Sequence, residues 1–420
     1  MQANVKPYIL SLFLIITLFA VAQDTTSSAR LHISDAGFIY DWENNSTAFT
    51  NRFLLDLRVK KVISQADKEQ SEKRLKNTNY YGSHQSGGIY YVFPLKKNTG
   101  LLFEAEAVSH QDATFKKDAF QLILNGNAPY RNQTKDAGGL FYRNITYQRV
   151  GLGLQKYFDN HTQVFQFTAN LVLGDYFNQF KLTRGTVFTE QNGEYINLDL
   201  AYERHFSAIG AGLFGQKGYG ALLHASWYKL MPRQNIILHA ELKNLGFTAY
   251  PSRTSSQHID TAIQYTGIDL GSLNSISGFT SVNTQDSLLN KVNLKGGDTK
   301  FTFIMPARLE LSAVKVVHGR DLLTLKASYY LYNSLPLLGA SYCHAVTPNV
   351  WLGGGIRVGG YGLVDIDLES NMKLTKRWLL ALTVRSVEGW ILLNNASGMG
   401  AFAQLRYIIS SSPSSRPKSY

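Results

Sequence analysis

Few residues in this chain combine type and spacing in a way that could do chemistry. His224-Ala225-Ser226 is one such set, because an i, i+2 spacing puts both polar side chains on one face of a strand. There His224 could act as base to a Ser226 nucleophile, as in a lipid-hydrolysing enzyme. The flanking Ala221, Leu223, Ala225 and Trp227 form the opposite, apolar face, so the pair reads as two polar groups turned into a lumen. Asp365, Asp367 and Glu369 share a strand face and offer oxygen ligands to a hard cation, or partners to arginines of a neighbouring strand. The second reading is preferred. Gly353-Gly354-Gly355 and Gly359-Gly360 lack the following helix and Gly-Lys-Ser/Thr of a phosphate loop. His205, His239 and His344 show no paired metal-ligand spacing, and Cys343 is the only cysteine. The expectation is a protein with no catalytic residues, no metal and no cofactor.

The elements that would position these residues begin after an export leader. Lys6 precedes an apolar stretch from Tyr8 to Val21, which ends on Ala20-Val21-Ala22. This is the pattern of a secretory signal peptide over 1–22, and no cysteine follows to carry a lipid. Export makes nucleic acid an unsuitable partner for the chain's excess of twelve positive charges.

Residues 23–409 then repeat an alternation of apolar and polar positions over segments of about ten residues. In Thr162 to Gly174, Phe165, Phe167, Ala169, Leu171 and Leu173 oppose Gln166, Thr168 and Asn170. Ile196, Leu198, Leu200 and Tyr202 oppose Asp199 and Glu203; Ile236, Leu238, Ala240 and Leu242 oppose His239, Glu241 and Lys243. Elsewhere the ionisable face carries Glu104 and Glu106, then Arg308 and Glu310, then Asp365, Asp367 and Glu369, with Lys326 also inward. Tyr, Phe and Trp recur at segment ends, where interfacial girdles would lie.

Such two-faced ribbons predict an all-β fold, a transmembrane antiparallel β-barrel of roughly 14 strands within about 12 to 18. In lipid every backbone group must be paired internally, and a closed sheet achieves this without an edge. Gly400 to Tyr407 alternates like a terminal barrel strand, and a Ser/Pro-rich tail follows at 410–420. Ala66 to Asn79 reads as a charged, solvated loop. Residues 250–300 read as a long Ser/Thr/Gly/Asn-rich insertion with a short helix near Gln285 to Val292.

Several stretches carry a family resemblance. They are Gly126-Asn127-Ala128-Pro129-Tyr130, Tyr147 to Gly153, Arg184 to Glu194, Gly212 to Gly220, Tyr265 to Leu270 and the proline-marked start at Met305-Pro306. In this order, over about 45–409, they resemble an uncharacterised family of Bacteroidota outer-membrane β-barrels. That family is distantly similar to FadL-like and type IX secretion-associated barrels. The resemblance implies an outer-membrane location and supplies no substrate or site residue.

Charge placement sharpens the expectation. Loss of the leader leaves a net charge of +11, while nine acids and six bases (Lys243, Arg308, Lys326, Arg357, Arg377 and Arg385) fall on inward positions. The remaining +14 belongs to rims and loops, which suits outer-membrane lipid with anionic headgroups. The sequence thus points to a porin-like or FadL-like channel for an unknown solute. The alternatives are an accessory or scaffold with partners in an envelope secretion complex and, further off, a lipid hydrolase using His224 and Ser226.

Overall fold

The computed structural model describes residues 34–410 except 61, 96–97, 208–217, 252–253, 267–296 and 332–334. The expected export leader, the expected helix near Gln285 to Val292 and the tail beyond Ser410 lie outside the described residues.

Among the described residues nineteen strand segments form one sheet. They are β1 (Ser34–Ser46), β2 (Thr78–Pro94), β3 (Thr99–Lys116), β4 (Gln133–Asp136), β5 (Leu140–Phe158) and β6 (Gln163–Thr189). Next come β7 (Ile196–Ser207), β8 (Gly218–Met231), β9 (Ile236–Tyr250), β10 (Thr254–Tyr265), β11 (Gly297–Asp298), β12 (Phe301–Ile304) and β13 (Arg308–Val317). The last are β14 (Asp321–Tyr330), β15 (Leu337–Thr347), β16 (Val350–Gly359), β17 (Val364–Lys373), β18 (Trp378–Arg385) and β19 (Gly398–Ser410). Among the described residues four short α-helices join them: α1 (Asn51–Leu55), α2 (Gln65–Glu72), α3 (Lys117–Asn125) and α4 (Val387–Ile391).

The sheet closes when β19 pairs antiparallel with β1, from Asp35↔Ile408 to Asn45↔Gly398. The result is a closed antiparallel barrel of 14 strands. The larger number of segments arises because some wall strands are interrupted. β6 is continuous, pairing along its first half with β8 and along its second half with β7. β9 likewise gives way to β10, which pairs with β7. β12 and β13 both pair with β9, with Met305, Pro306 and Ala307 between them. A proline has no N–H for the ladder, so it sits at such a break.

Alternation decides which side chains meet lipid. Leu152 is 59% exposed, Leu171 57% and Ile366 52%, while Arg149, Asn170 and Asp365 between such positions are buried. Apolar side chains therefore cover the outside and polar ones the inside, the reverse of a soluble sandwich and the pattern a barrel in hydrocarbon requires. Among the described residues no helix is long and apolar enough to cross a membrane.

One rim carries short turns and the other long connections. On the long-loop side the upper halves of β6, β7 and β10 rise as a ribbon, with β4 paired to the tip of β6. β10 lies within the 250–300 stretch expected to be a long insertion in the barrel. Its start, Thr254 to Gln257, is polar on both faces, and only Ile259, Ile263 and Tyr265 alternate with His258, Asp260 and Gln264, although the strand pairs with β7 over its whole length. The charged stretch expected as a loop after Gln65 contains α2. Ser64 caps it by accepting a hydrogen bond from the Asp67 N–H.

These helices close the long-loop end. Phe49, Phe53, Phe115 and Phe120 stack together with Ala48, Leu54 and Tyr81 in an apolar cluster. The Asn51 side chain donates to the Gly389 and Gly398 carbonyls, at 3.1 and 2.8 Å, locking α1 to the β18–β19 connection. Nearby, the Lys116 ammonium hydrogen-bonds Asp136 at 2.6 Å and holds that carboxyl below the usual carboxylate range.

Candidate functional site: a charge-paired lumen

Inward side chains of the wall strands surround a cavity of about 520 Å³. It extends from Asp35, Tyr157 and Arg406 near the short-turn rim to His110, Tyr330 and Arg385 at mid-barrel. Its size falls within the range of about 300 to 1,000 Å³ usual for small-molecule sites.

Glu104 and Glu106 project from β3 two residues apart, hence on one face. Arg149 of β5, in register with Glu106, bridges them, reaching Glu104 at 2.9 Å and Glu106 at 2.6 Å. His224 of β8 stands between Glu104, at 3.3 Å, and Glu241 of β9, at 3.0 Å. Glu241 and Glu310 face each other directly across the β9–β13 pair, where like charges repel. Cations surround this pair: Lys243 lies 3.4 Å from Glu241, and Arg308 and Lys326 lie 2.6 and 2.9 Å from Glu310. His239 stacks face to face on Tyr228 at 4.2 Å. Glu104, Glu106, His224, His239, Glu241, Lys243, Arg308, Glu310 and Lys326 all line the cavity.

The other residues singled out in the sequence lie elsewhere. Asp199 pairs with Arg184 at 2.7 Å, Glu203 with His205 at 2.8 Å, and both stand on the β7 part of the ribbon, substantially exposed. Alternation sets the face of a residue but not its height, so strand pattern alone could not separate these two from the lumen set. Asp365, Asp367 and Glu369 do share one face of β17, yet each has its own partners. Asp365 accepts hydrogen bonds from Asn45 and Ser386, Asp367 pairs with Arg357 at 2.6 Å, and Glu369 accepts from Ser341 at 3.1 Å. Arg377, counted inward from the sequence, sits exposed in the turn before β18 and donates to Tyr407 at 3.1 Å. Among the described residues no group of three or more His, Cys, Asp or Glu is placed to hold a metal ion.

Ser226 is 2% exposed and its hydroxyl donates to Gln166 Oε1 at 2.8 Å. Both His224 ring nitrogens are directed at carboxylates instead. The pair therefore shares the lumen face without forming a nucleophile–base contact.

β1 supplies lumen residues that the sequence reading did not single out. Arg385 binds Asp41 at 2.5 Å and Glu43 at 3.1 Å, Arg357 binds Glu43 at 2.5 Å, and Arg406 binds Asp35. The signal was available, because Asp41 and Glu43 alternate with Tyr40 and Trp42.

Above the cavity the lumen is filled. His110 of β3 and Tyr330 of β14 meet with ring centroids 5.5 Å apart, and His84 lies 5.9 Å from His110. Tyr361, from the β16–β17 connection, packs against Gly82 of β2, where a Cβ would lie 2.0 Å from its ring. On the other side Phe177, Tyr250, Phe301 and Phe303 fill the bore with aromatic rings. A second cavity of about 60 Å³ remains beside Tyr330 and Tyr361.

A family of unknown function, DUF5723, matches residues 36–347. No curated protein matches the chain. Among solved structures, a Pseudomonas aeruginosa FadL homologue is similar at 9% identity and TM-score 0.42, covering 90% of each chain. The Ralstonia pickettii toluene transporter TbuX is similar at 7% identity and TM-score 0.40, covering 90% of this chain and 89% of its own. A deltaS2S3 mutant of the monoaromatic hydrocarbon channel TodX is similar at 9% identity and TM-score 0.43, covering 90% of both. The barrel class rests on the strand pairing described above, and these likenesses add nothing to it.

Proposed function

We propose that this chain, which belongs to the DUF5723 family, is an outer-membrane channel that admits a small solute through a gated lumen. The observation that supports this reading most is the combination of an apolar outer wall with a polar inner cavity of about 520 Å³. A protein that only anchored itself in lipid has no need of a cavity lined by charges, since burying each one costs free energy unless it is paired. The excess positive charge carried by the rims and loops meets anionic lipid headgroups of the membrane surface. The filled zone above the cavity makes the channel selective and normally closed rather than a general diffusion pore. No catalytic residue belongs to this reading, since His224 and Ser226 are held by other partners. Planar-bilayer recording of the refolded protein tests it. Stepwise currents support a channel; silence in both the native protein and a variant with an opened constriction overturns it.

A second reading is favoured by the filled bore and the projecting β6–β7–β10 ribbon. In it the barrel is a non-conducting scaffold of an envelope secretion complex. Mild-detergent extraction from the native membrane would then recover stoichiometric partners on the ribbon, and removal of the β6–β7 tip would release them.

A further inference from the structure

The charges lining the cavity are balanced and already spoken for. Its carboxylates are Asp35, Asp41, Glu104, Glu106, Glu241 and Glu310; its permanent cations are Arg149, Lys243, Arg308, Lys326, Arg385 and Arg406. Every member of both sets has an ion-pair partner in the other. A charged solute entering here would shed its hydration and meet no unpaired counter-charge, so desolvation would be uncompensated.

Between the ion pairs the wall offers a different chemistry. Gln155, Gln166 and Gln404 add amides, and Tyr90, Tyr147, Tyr157 and Tyr228 add rings and hydroxyls. Gln155 donates to Tyr157, Gln166 accepts from Ser226 and His239 covers one face of Tyr228, so a solute meets their remaining donors and acceptors. Carboxylates and guanidiniums that are paired to one another keep further lone pairs and N–H groups for neutral partners. Tyrosine rings are amphipathic and accept the C–H faces of a solute whose edges carry hydroxyls.

From this lining we infer that the cavity selects an uncharged, hydroxyl-rich small solute of the sugar or polyol class. The inference deepens the channel reading, which it needs for the route of the solute but not for its binding. It also sets this chain apart from a hydrocarbon channel, whose solute could not satisfy the polar groups of this wall.

The test uses the full-length refolded barrel and two independent readouts. Calorimetric titration compares glucose and sucrose with citrate and spermidine, and single-channel recording in a salt gradient measures ion preference. The expected result is sugar binding at least about tenfold tighter than either charged probe, with a reversal potential near zero. Lys326→Met leaves Glu310 its Arg308 partner and makes the lining net negative, so spermidine binding and cation preference should both rise. Binding of citrate or spermidine in preference to the sugars overturns the inference, and so does the absence of any sugar binding. Sugar binding by a barrel that passes no current upholds the inference and removes the channel reading alone.

Discussion

His110 and Tyr330 touch ring to ring, 5.5 Å between centroids, although β3 and β14 lie nearly opposite each other around the barrel wall. Side chains from distant strands can meet in this way only if the bore is closed at that level. The Gly82–Tyr361 contact closes it further, with a glycine providing the space that the tyrosine ring occupies.

This contact makes the constriction a barrier that substitution should lower. Tyr330→Ala combined with Tyr361→Ala removes two rings from the narrowest zone while sparing the ion pairs beneath it. Single-channel conductance in planar bilayers is expected to rise several-fold over the native protein. Equal conductance in both would place the barrier elsewhere. The closed arrangement also leaves His84 Nδ1, Arg308 Nε and the Tyr361 hydroxyl buried without hydrogen-bond partners. Such groups cost roughly 1 to 3 kcal/mol each, so water entering an opened bore would recover part of that energy and favour the open state.

Arg149 offers a stability test. It is 4% exposed and serves Glu104 and Glu106 together, so Arg149→Met takes the guanidinium from both and leaves Glu104 with His224 and Thr168. Breaking one side of a buried ion pair costs about 3 to 5 kcal/mol. The urea midpoint of the refolded barrel should fall accordingly. Adding Glu104→Gln and Glu106→Gln to the same chain should restore most of the loss, because no charge then remains unpaired. If the triple variant is as unstable as the single one, lost packing rather than lost pairing explains the effect.

The pattern of these residues shows what a sequence can carry. Glu104, Glu241 and Glu310 were legible because each sits in a strand whose alternate positions are plainly apolar. β10 was not, since Thr254 to Gln257 is polar on both faces and the contrast is confined to Ile259, Ile263 and Tyr265. α2 was hidden for a similar reason, being a short charged helix marked only by its Ser64 cap. Asp41 and Glu43 obey the same rule as Glu104 and lie in β1, the first described strand. The constriction was beyond reach altogether. Local periodicity assigns His110 and Tyr330 to the inside, yet nothing local says that the two insides touch.

The His224–Ser226 geometry predicts a chemically silent pair. Refolded protein should hydrolyse short-chain and phospholipid esters no faster than buffer, and Ser226→Ala should change nothing in that assay. Its effect should appear in stability instead, as loss of one hydrogen bond to Gln166 worth about 0.5 to 1.5 kcal/mol. Ester hydrolysis abolished by the same substitution would restore the enzymatic reading.

Closure of the wall predicts how the chain behaves on a gel. β1 and β19 seal the barrel over a ladder running from Asp35↔Ile408 to Asn45↔Gly398, and each also pairs with its other neighbour. A closed sheet has no edge at which detergent-bound unfolding can begin, so opening it means breaking a whole ladder at once. The refolded protein should therefore migrate as a compact band when unboiled and as an extended chain after boiling. A chain beginning at residue 47 lacks β1 and exposes β2 and β19 as edges, and it should show one extended band under both conditions. Identical migration of the intact protein before and after boiling would argue against the closed wall itself. A compact unboiled band from the truncated chain would show instead that β2 and β19 close the barrel without the ion pairs that Asp35, Asp41 and Glu43 provide.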